Sequence, residues 1–210
     1  MEEAAAGEDR ILTIPNIISV VRLLCVPVFL WLLFDQHNRV AAAVLLATLG
    51  ATDWIDGYIA RHYDQVSNLG KILDPVADRV LLIVGVVAIL IDGSAPLGVG
   101  VLSLLREGLV TVAVLVLAVL GASRIDVTWY GKAGTFAVMI AFPLFLLGNA
   151  GEGAVYTVAY WAGWATAVPG LALGYVALAQ YVPLGLQALR EGRAARAIGH
   201  PEHEIPEVPA

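Results

Sequence analysis

Apolar residues run along the chain in six long stretches, at about 16–35, 40–61, 71–92, 96–121, 131–149 and 168–190. Turn signals separate most of them, among them "DQHNR", "DGSAP", "GASRIDVTWYG" and "GNAGEG". Each stretch is close to the roughly 20 apolar residues that a helix needs to cross a hydrocarbon core. The pattern predicts an all-α integral membrane protein with six transmembrane helices. A seventh apolar stretch, about 153–166, is short for a span. It reads as a tilted helix or a bent extension of the last span, divided from it at Pro169-Gly170. The expected organisation is a tail over 1–12, a six-helix membrane domain over 13–192 and a second tail over 193–210.

Composition agrees with this pattern. Charged residues make up 14% of the chain, against about 25% in soluble domains. The few basic residues are scattered, so no nucleic-acid partner is expected. Cys25 is the only cysteine, which excludes an internal disulfide and a cysteine-based metal site. The N-terminus is acidic, and no cleavable signal peptide is expected. An even number of spans puts both ends on one side. That side collects Arg10, Lys71, Arg124, Lys132, Arg190, Arg193 and Arg196, while the opposite loops offer little beyond Arg39. The bias predicts cytoplasmic termini in the cell membrane.

One stretch breaks the apolar pattern. "TDWIDGYIARHYDQVSNLGKILDPVADR", residues 52–79, carries Asp53, Asp56, Asp74 and Asp78 at the cytoplasmic ends of spans two and three. Asp53 and Asp56 are spaced three apart, and Asp74 and Asp78 four apart, so each pair shares a helix face. The intervening loop is short enough for the two helices to pair antiparallel. Four converging carboxylates would repel unless cations intervened. An all-oxygen donor set suits Mg²⁺ or Mn²⁺ rather than zinc. Two such ions about 3.5–4 Å apart would suit phosphoryl displacement. Gly57 and Gly70 remove side chains one turn from these carboxylates, Ala60 continues the face, and Arg61 and Ser67 are candidate donors to phosphate.

Asp53, Asp56, Gly57, Ala60, Arg61, Gly70, Asp74 and Asp78 together resemble the full signature of the CDP-alcohol phosphotransferases. The resemblance extends over about 11–150, including "TIPNIISVVRLLCVP". It implies the six-helix fold of that family, a homodimer, and a polar cavity open to the cytoplasm. It also implies a reaction in which an acceptor hydroxyl attacks the β-phosphate of a CDP-linked lipid and CMP leaves. By position, Asp53 and Asp74 would bridge two divalent cations, with Asp56 completing one site and Asp78 the other. Asp78 would also be the catalytic base. Gly57, Ala60, Arg61, Ser67 and Gly70 would line the CDP-lipid site.

"LREGL" and "YGKAGTF" resemble the branch of the family that makes phosphatidylglycerol phosphate and cardiolipin from CDP-diacylglycerol. Gly134 stands where the phosphatidylglycerol-phosphate synthases carry a second lysine, and "GKAGTF" with Met139 and Pro143 resembles the CMP-forming cardiolipin synthases. The expected acceptor is phosphatidylglycerol, with glycerol-3-phosphate as the alternative. A glycerol-3-phosphate dianion needs several cations. After the signature, near that face, the sequence offers Arg106, Arg124 and Lys132, and small residues in "GKAGTFA" would let a headgroup approach the backbone. Arg106 reads either as one half of a buried polar pair with Glu107 or as an acceptor contact. Lys132 reads either as a contact or as a side chain reaching out to lipid headgroups. The competing class is a cation transporter, whose acids would line an ion path. No inverted repeat and no second polar set across the membrane favour it.

Overall fold

The computed structural model describes the backbone of residues 14–63, 70–120 and 128–198. Side chains are described over 17–52, 79–120 and 128–189, except at 118, 182 and 186. The described elements are all helical: α1 (Ile14–Leu30), continued by a π-helical turn at Trp31–Asp35, then α2 (Arg39–Tyr63), α3 (Gly70–Asp92), α4 (Leu97–Val119), α5 (Trp129–Gly148) and α6 (Ala154–Ile198). Among the described residues, four segments are long and apolar enough to cross a membrane: Ile17–Asp35, Leu97–Leu117, Trp129–Gly148 and Ala154–Leu189.

Paired contacts show the helix directions. Arg39 meets Asp92 and Asn149 at one end of the bundle, while Gly85 faces Leu46 and Gly50 faces Met139 further along. Helices α3 and α5 therefore both run antiparallel to α2. The surface is apolar, as lipid requires: Leu24, Ile91, Leu97, Val119 and Val155 are all exposed. The buried face of α1 repeats at three- and four-residue steps through Ser19, Arg22, Val26, Phe29 and Leu33. Phe29, Leu33, Ile89, Phe145 and Leu146 fill the core.

The largest departure from the sequence reading is α6. The 153–166 stretch and the last span form one helix of 45 residues, unbroken at Pro169. The reason lies in its buried face. Ala159, Gly163, Ala167, Gly170, Gly174, Ala177 and Tyr181 stay in helical phase on both sides of the proline. They pack against α5, where Phe145 lies edge-on to Tyr160 and Trp164. In a bilayer, close packing of small residues is a main source of helix association, and neighbouring helices make an interior proline tolerable. Helix α6 also runs past 192, so the first residues of the expected tail, 193–198, continue the helix.

A clasp closes the end of the bundle formed by the α2 start, the α3 end and the α5 end. Arg39 donates from Nε to Asp92 Oδ2 at 2.9 Å, from Nη2 to Asp92 Oδ1 at 3.3 Å, and from Nη1 to the Asn149 carbonyl at 2.8 Å. Asn149 donates to the Ser94 carbonyl at 2.8 Å, and the Ser94 hydroxyl donates back to Asp92.

Candidate active site

Toward the other end, all six helices contribute to a cavity of about 500 Å³. That volume is in the range of small-molecule sites. Its walls are mostly apolar, with Leu46, Leu82, Ile89 and Phe142 among them. Its charged residues are Arg22 from α1, Arg79 from α3, and Arg106 and Glu107 from α4.

The signature lies on the two helices that lead out of this cavity. On α2, wall residues Leu46, Leu49 and Gly50 stand at three- and four-residue steps from position 53, and 53 from 56 and 57. On α3, Ile89, Gly85 and Leu81 or Leu82 step in the same way to position 78, and from there to 74. Helical register therefore carries both wall stripes directly into the aspartate positions. The side chains of Asp53, Asp56, Ala60, Arg61, Asp74 and Asp78 lie outside the described residues. Gly57 and Gly70 are described as backbone positions of α2 and α3, and Ser67 lies outside the described residues altogether.

A hydrogen-bonded network joins the α3 end of the signature to α4 and α5. Arg79, next in sequence to Asp78, donates to the Thr111 hydroxyl, and Thr111 donates to the Glu107 carbonyl at 2.8 Å. Arg106 Nη1 donates to Glu107 Oε2 at 3.1 Å and to the Thr135 hydroxyl at 2.9 Å. Thr135 donates to the Gly131 carbonyl at 2.9 Å, and Thr128 caps α5 by accepting from the Gly131 N–H at 3.2 Å. Arg106 is paired with Glu107, as one of its two sequence readings expected, and it also lines the cavity. Lys132 is exposed and does not line the cavity, which fits the lipid-facing alternative.

Of the cations expected near the acceptor, Arg106 lines the cavity and Lys132 does not, while Arg22 and Arg79 line it as well, with Glu107 offsetting one charge. Arg124 lies outside the described residues. Arg79 went unremarked, although it stands inside the "DPVADR" motif, and a charged residue within a span is itself a functional signal. Gly134 lines the cavity and also lies at the contact between α5 and α6. A β-carbon there would lie 2.7 Å from the Gly174 nitrogen and 2.8 Å from the Gly170 carbonyl oxygen. Its missing side chain lets the α5 and α6 backbones touch, and a lysine at 134 would force the two helices apart.

The sequence profile of the CDP-alcohol phosphatidyltransferases matches residues 12–169. A CMP-forming cardiolipin synthase of Streptomyces coelicolor is 38% identical over 187 residues, covering 87% of this chain and 86% of that protein. A putative cardiolipin synthase of Mycobacterium tuberculosis is 33% identical over 147 residues, 70% of each chain. A probable phosphatidylglycerophosphate synthase of the same species is 37% identical over 147 residues, 68% of this chain and 69% of that one.

Proposed function

The chain belongs to the CDP-alcohol phosphatidyltransferase family, and from that premise we propose that it makes cardiolipin from CDP-diacylglycerol and phosphatidylglycerol, releasing CMP. The observation that carries the choice of acceptor is the cavity: apolar walls with guanidinium groups among them, inside a lipid-facing bundle. Such a site suits an anionic headgroup that keeps its acyl chains. The cardiolipin synthase relatives support the same reading.

In this reading the primary hydroxyl of phosphatidylglycerol gives its proton to the Asp78 carboxylate. The freed oxygen attacks the β-phosphorus of CDP-diacylglycerol, and the bond to CMP breaks. Asp53, Asp56, Asp74 and Asp78 would hold two Mg²⁺ or Mn²⁺ ions through an all-oxygen donor set. When bound, the metals neutralise the diphosphate and stabilise the departing CMP. The donor chemistry and the register of the wall stripes both support this assignment. Gly57, Ala60, Arg61, Ser67 and Gly70 border the CDP-lipid, and Arg106 meets the acceptor.

A second reading, in which the acceptor is glycerol-3-phosphate and the product phosphatidylglycerol phosphate, is supported by the 37% identity to a probable phosphatidylglycerophosphate synthase. An acceptor panel separates the two. Purified protein receives CDP-diacylglycerol, Mg²⁺ and one of phosphatidylglycerol, glycerol-3-phosphate or inositol phosphate, and the lipid products are identified by mass. Cardiolipin from phosphatidylglycerol is expected. Phosphatidylglycerol phosphate, with phosphatidylglycerol untouched, would replace the first reading by the second.

The reading also places the site on the cytoplasmic face and pairs two copies as a homodimer. A reporter fused after Arg196 should score cytoplasmic, and a tag in the 93–96 turn should be reachable from outside. The reverse result would put the aspartates on the wrong side for CDP-lipid made in the cell.

A further inference from the structure

The polar groups of the cavity gather at one depth. Arg79 on α3 and Thr135 on α5, which accepts from Arg106, each lie thirteen residues from the clasp end of their helix. At about 1.5 Å per residue, that is roughly 20 Å from the clasp. Thr111, which accepts from Arg79, is fourteen residues beyond the start of α4 and so lies at the same depth. The signature positions begin one residue beyond Arg79, on the side away from the clasp.

Between this charged layer and the clasp the same cavity continues with different walls. Leu46, Val86, Ile89 and Phe142 line it three to seven residues from the clasp ends of their helices, at depths of about 5–11 Å. Ser103 is the polar wall residue described at that depth, and its hydroxyl donates to the Val99 carbonyl at 2.8 Å, so it has no proton to offer a ligand. A compartment with such walls stays dry and takes apolar ligands. Gly85 gives it width. A β-carbon there would lie 3.8 Å from Leu46 Cδ1, an ordinary contact, with no second atom within 4 Å among the described residues. A longer side chain at 85 would extend into the compartment.

We infer that this apolar compartment seats an acyl chain of the acceptor: with the phosphate of phosphatidylglycerol at the charged layer, one fatty-acyl chain runs past Gly85 toward Ile89 and Phe142. The inference rests on the reading of the acceptor as phosphatidylglycerol. In the orientation that reading assigns, a phospholipid of the cytoplasmic leaflet has its phosphate toward the signature and its chains toward the clasp, which is the order of the two compartments. The residues assigned to the CDP-lipid, from Gly57 to Gly70, lie on the other side of the charged layer, so the compartment falls to the acceptor. Moving a chain from lipid into another apolar space has little driving force. The seat therefore orients the acceptor and selects its chains rather than adding affinity.

The test compares full-length wild type, Gly85→Leu and Gly98→Leu. Gly98 does not line the cavity, and a β-carbon there meets nothing within 4 Å, so its variant controls for an added leucine. The acceptors are dioleoylphosphatidylglycerol and glycerophosphoglycerol, the same headgroup without chains. Gly85→Leu should raise the KM for dioleoylphosphatidylglycerol about tenfold, in the range that overfilling a packed site costs. Its kcat/KM for glycerophosphoglycerol and its KM for CDP-diacylglycerol should stay within about twofold of wild type, and its Tm should match that of Gly98→Leu. In wild type, phosphatidylglycerol with a photoactivated diazirine at the end of one oleoyl chain should label residues within 82–89 or 138–142, and excess dioleoylphosphatidylglycerol should suppress the label. An unchanged KM for dioleoylphosphatidylglycerol in folded Gly85→Leu would overturn the inference. So would an equal loss with the chain-free acceptor, or a KM rise confined to CDP-diacylglycerol. If Gly85→Leu does not fold, or wild type does not turn over the chain-free acceptor, the labelling decides. A compartment left unlabelled in a protein that makes cardiolipin overturns the inference alone. A wild type that leaves phosphatidylglycerol untouched overturns the proposed function and the inference with it.

Discussion

Arg39 and Arg106 carry the same guanidinium on different helices of one bundle, and they are partnered differently. Arg39 meets Asp92 with two donors and the Asn149 carbonyl with a third, so its fork is filled by protein groups from α3 and the end of α5. Arg106 is held by Glu107 and Thr135 through Nη1 and by the Gly131 carbonyl through Nη2, its Nε is buried without a hydrogen-bond partner among the described residues, and the residue lines a cavity. A guanidinium filled at the clasp ties helices together, whereas one oriented at a cavity wall is what a binding site requires. The difference separates a structural end of the molecule from a chemical end.

The strongest way to break this comparison is to remove the metals. Chelation with EDTA should abolish CMP release, and Mg²⁺ or Mn²⁺ should restore it. Asp53→Ala and Asp74→Ala should be the most damaging single changes, since in the proposed two-metal reading each would remove a ligand shared by two ions. Activity that survives chelation would remove the two-metal reading. Next in size is Asp78→Asn, which keeps the volume but would lose the proposed base and a proposed metal ligand's charge. Turnover should fall by at least about 10²-fold, within the usual range for loss of a general base, while CDP-diacylglycerol binding is largely kept. Near-normal turnover would place the base elsewhere.

At the clasp the expected pattern is inverted. Arg39→Met strands Asp92, whose side chain is 10% exposed. Arg39 itself is 37% exposed, so the loss is discounted for solvent and should be about 1–2 kcal/mol of stability. Thermal denaturation should report it, and CMP release per folded molecule should stay within about twofold of wild type. If Arg39→Met instead reduced turnover as Asp78→Asn does, the two ends would not be functionally separate.

The helices were legible in the sequence because lipid demands long apolar runs, and five of the six follow their expected limits within about two residues. The continuity of α6 was not. Pro169-Gly170 reads locally as a divider, and only the unbroken phase of small residues against α5 overrides it. The aspartate signature was legible through its spacing alone, and the register of α2 and α3 leads it into the cavity walls. The contact of Gly134 with α6 was not legible, because a missing side chain looks the same in sequence whether a ligand or another backbone occupies the space. Arg79 was overlooked for a related reason: its partner, Thr111, is distant in sequence and on another helix.

The length of α6 has a consequence for the shape of the protein in its bilayer. The apolar part alone, Ala154–Leu189, has 36 residues, which at about 1.5 Å each makes a rod of roughly 54 Å. To lie wholly within a hydrocarbon layer about 30 Å thick, such a rod would have to lean by more than 50°, beyond the 0–40° range known for spanning helices. Part of α6 must therefore rise out of the oil as an ordered shaft. Its last turns, which carry Arg193 and Arg196 in sequence, stand on that shaft at a height set by the helix itself.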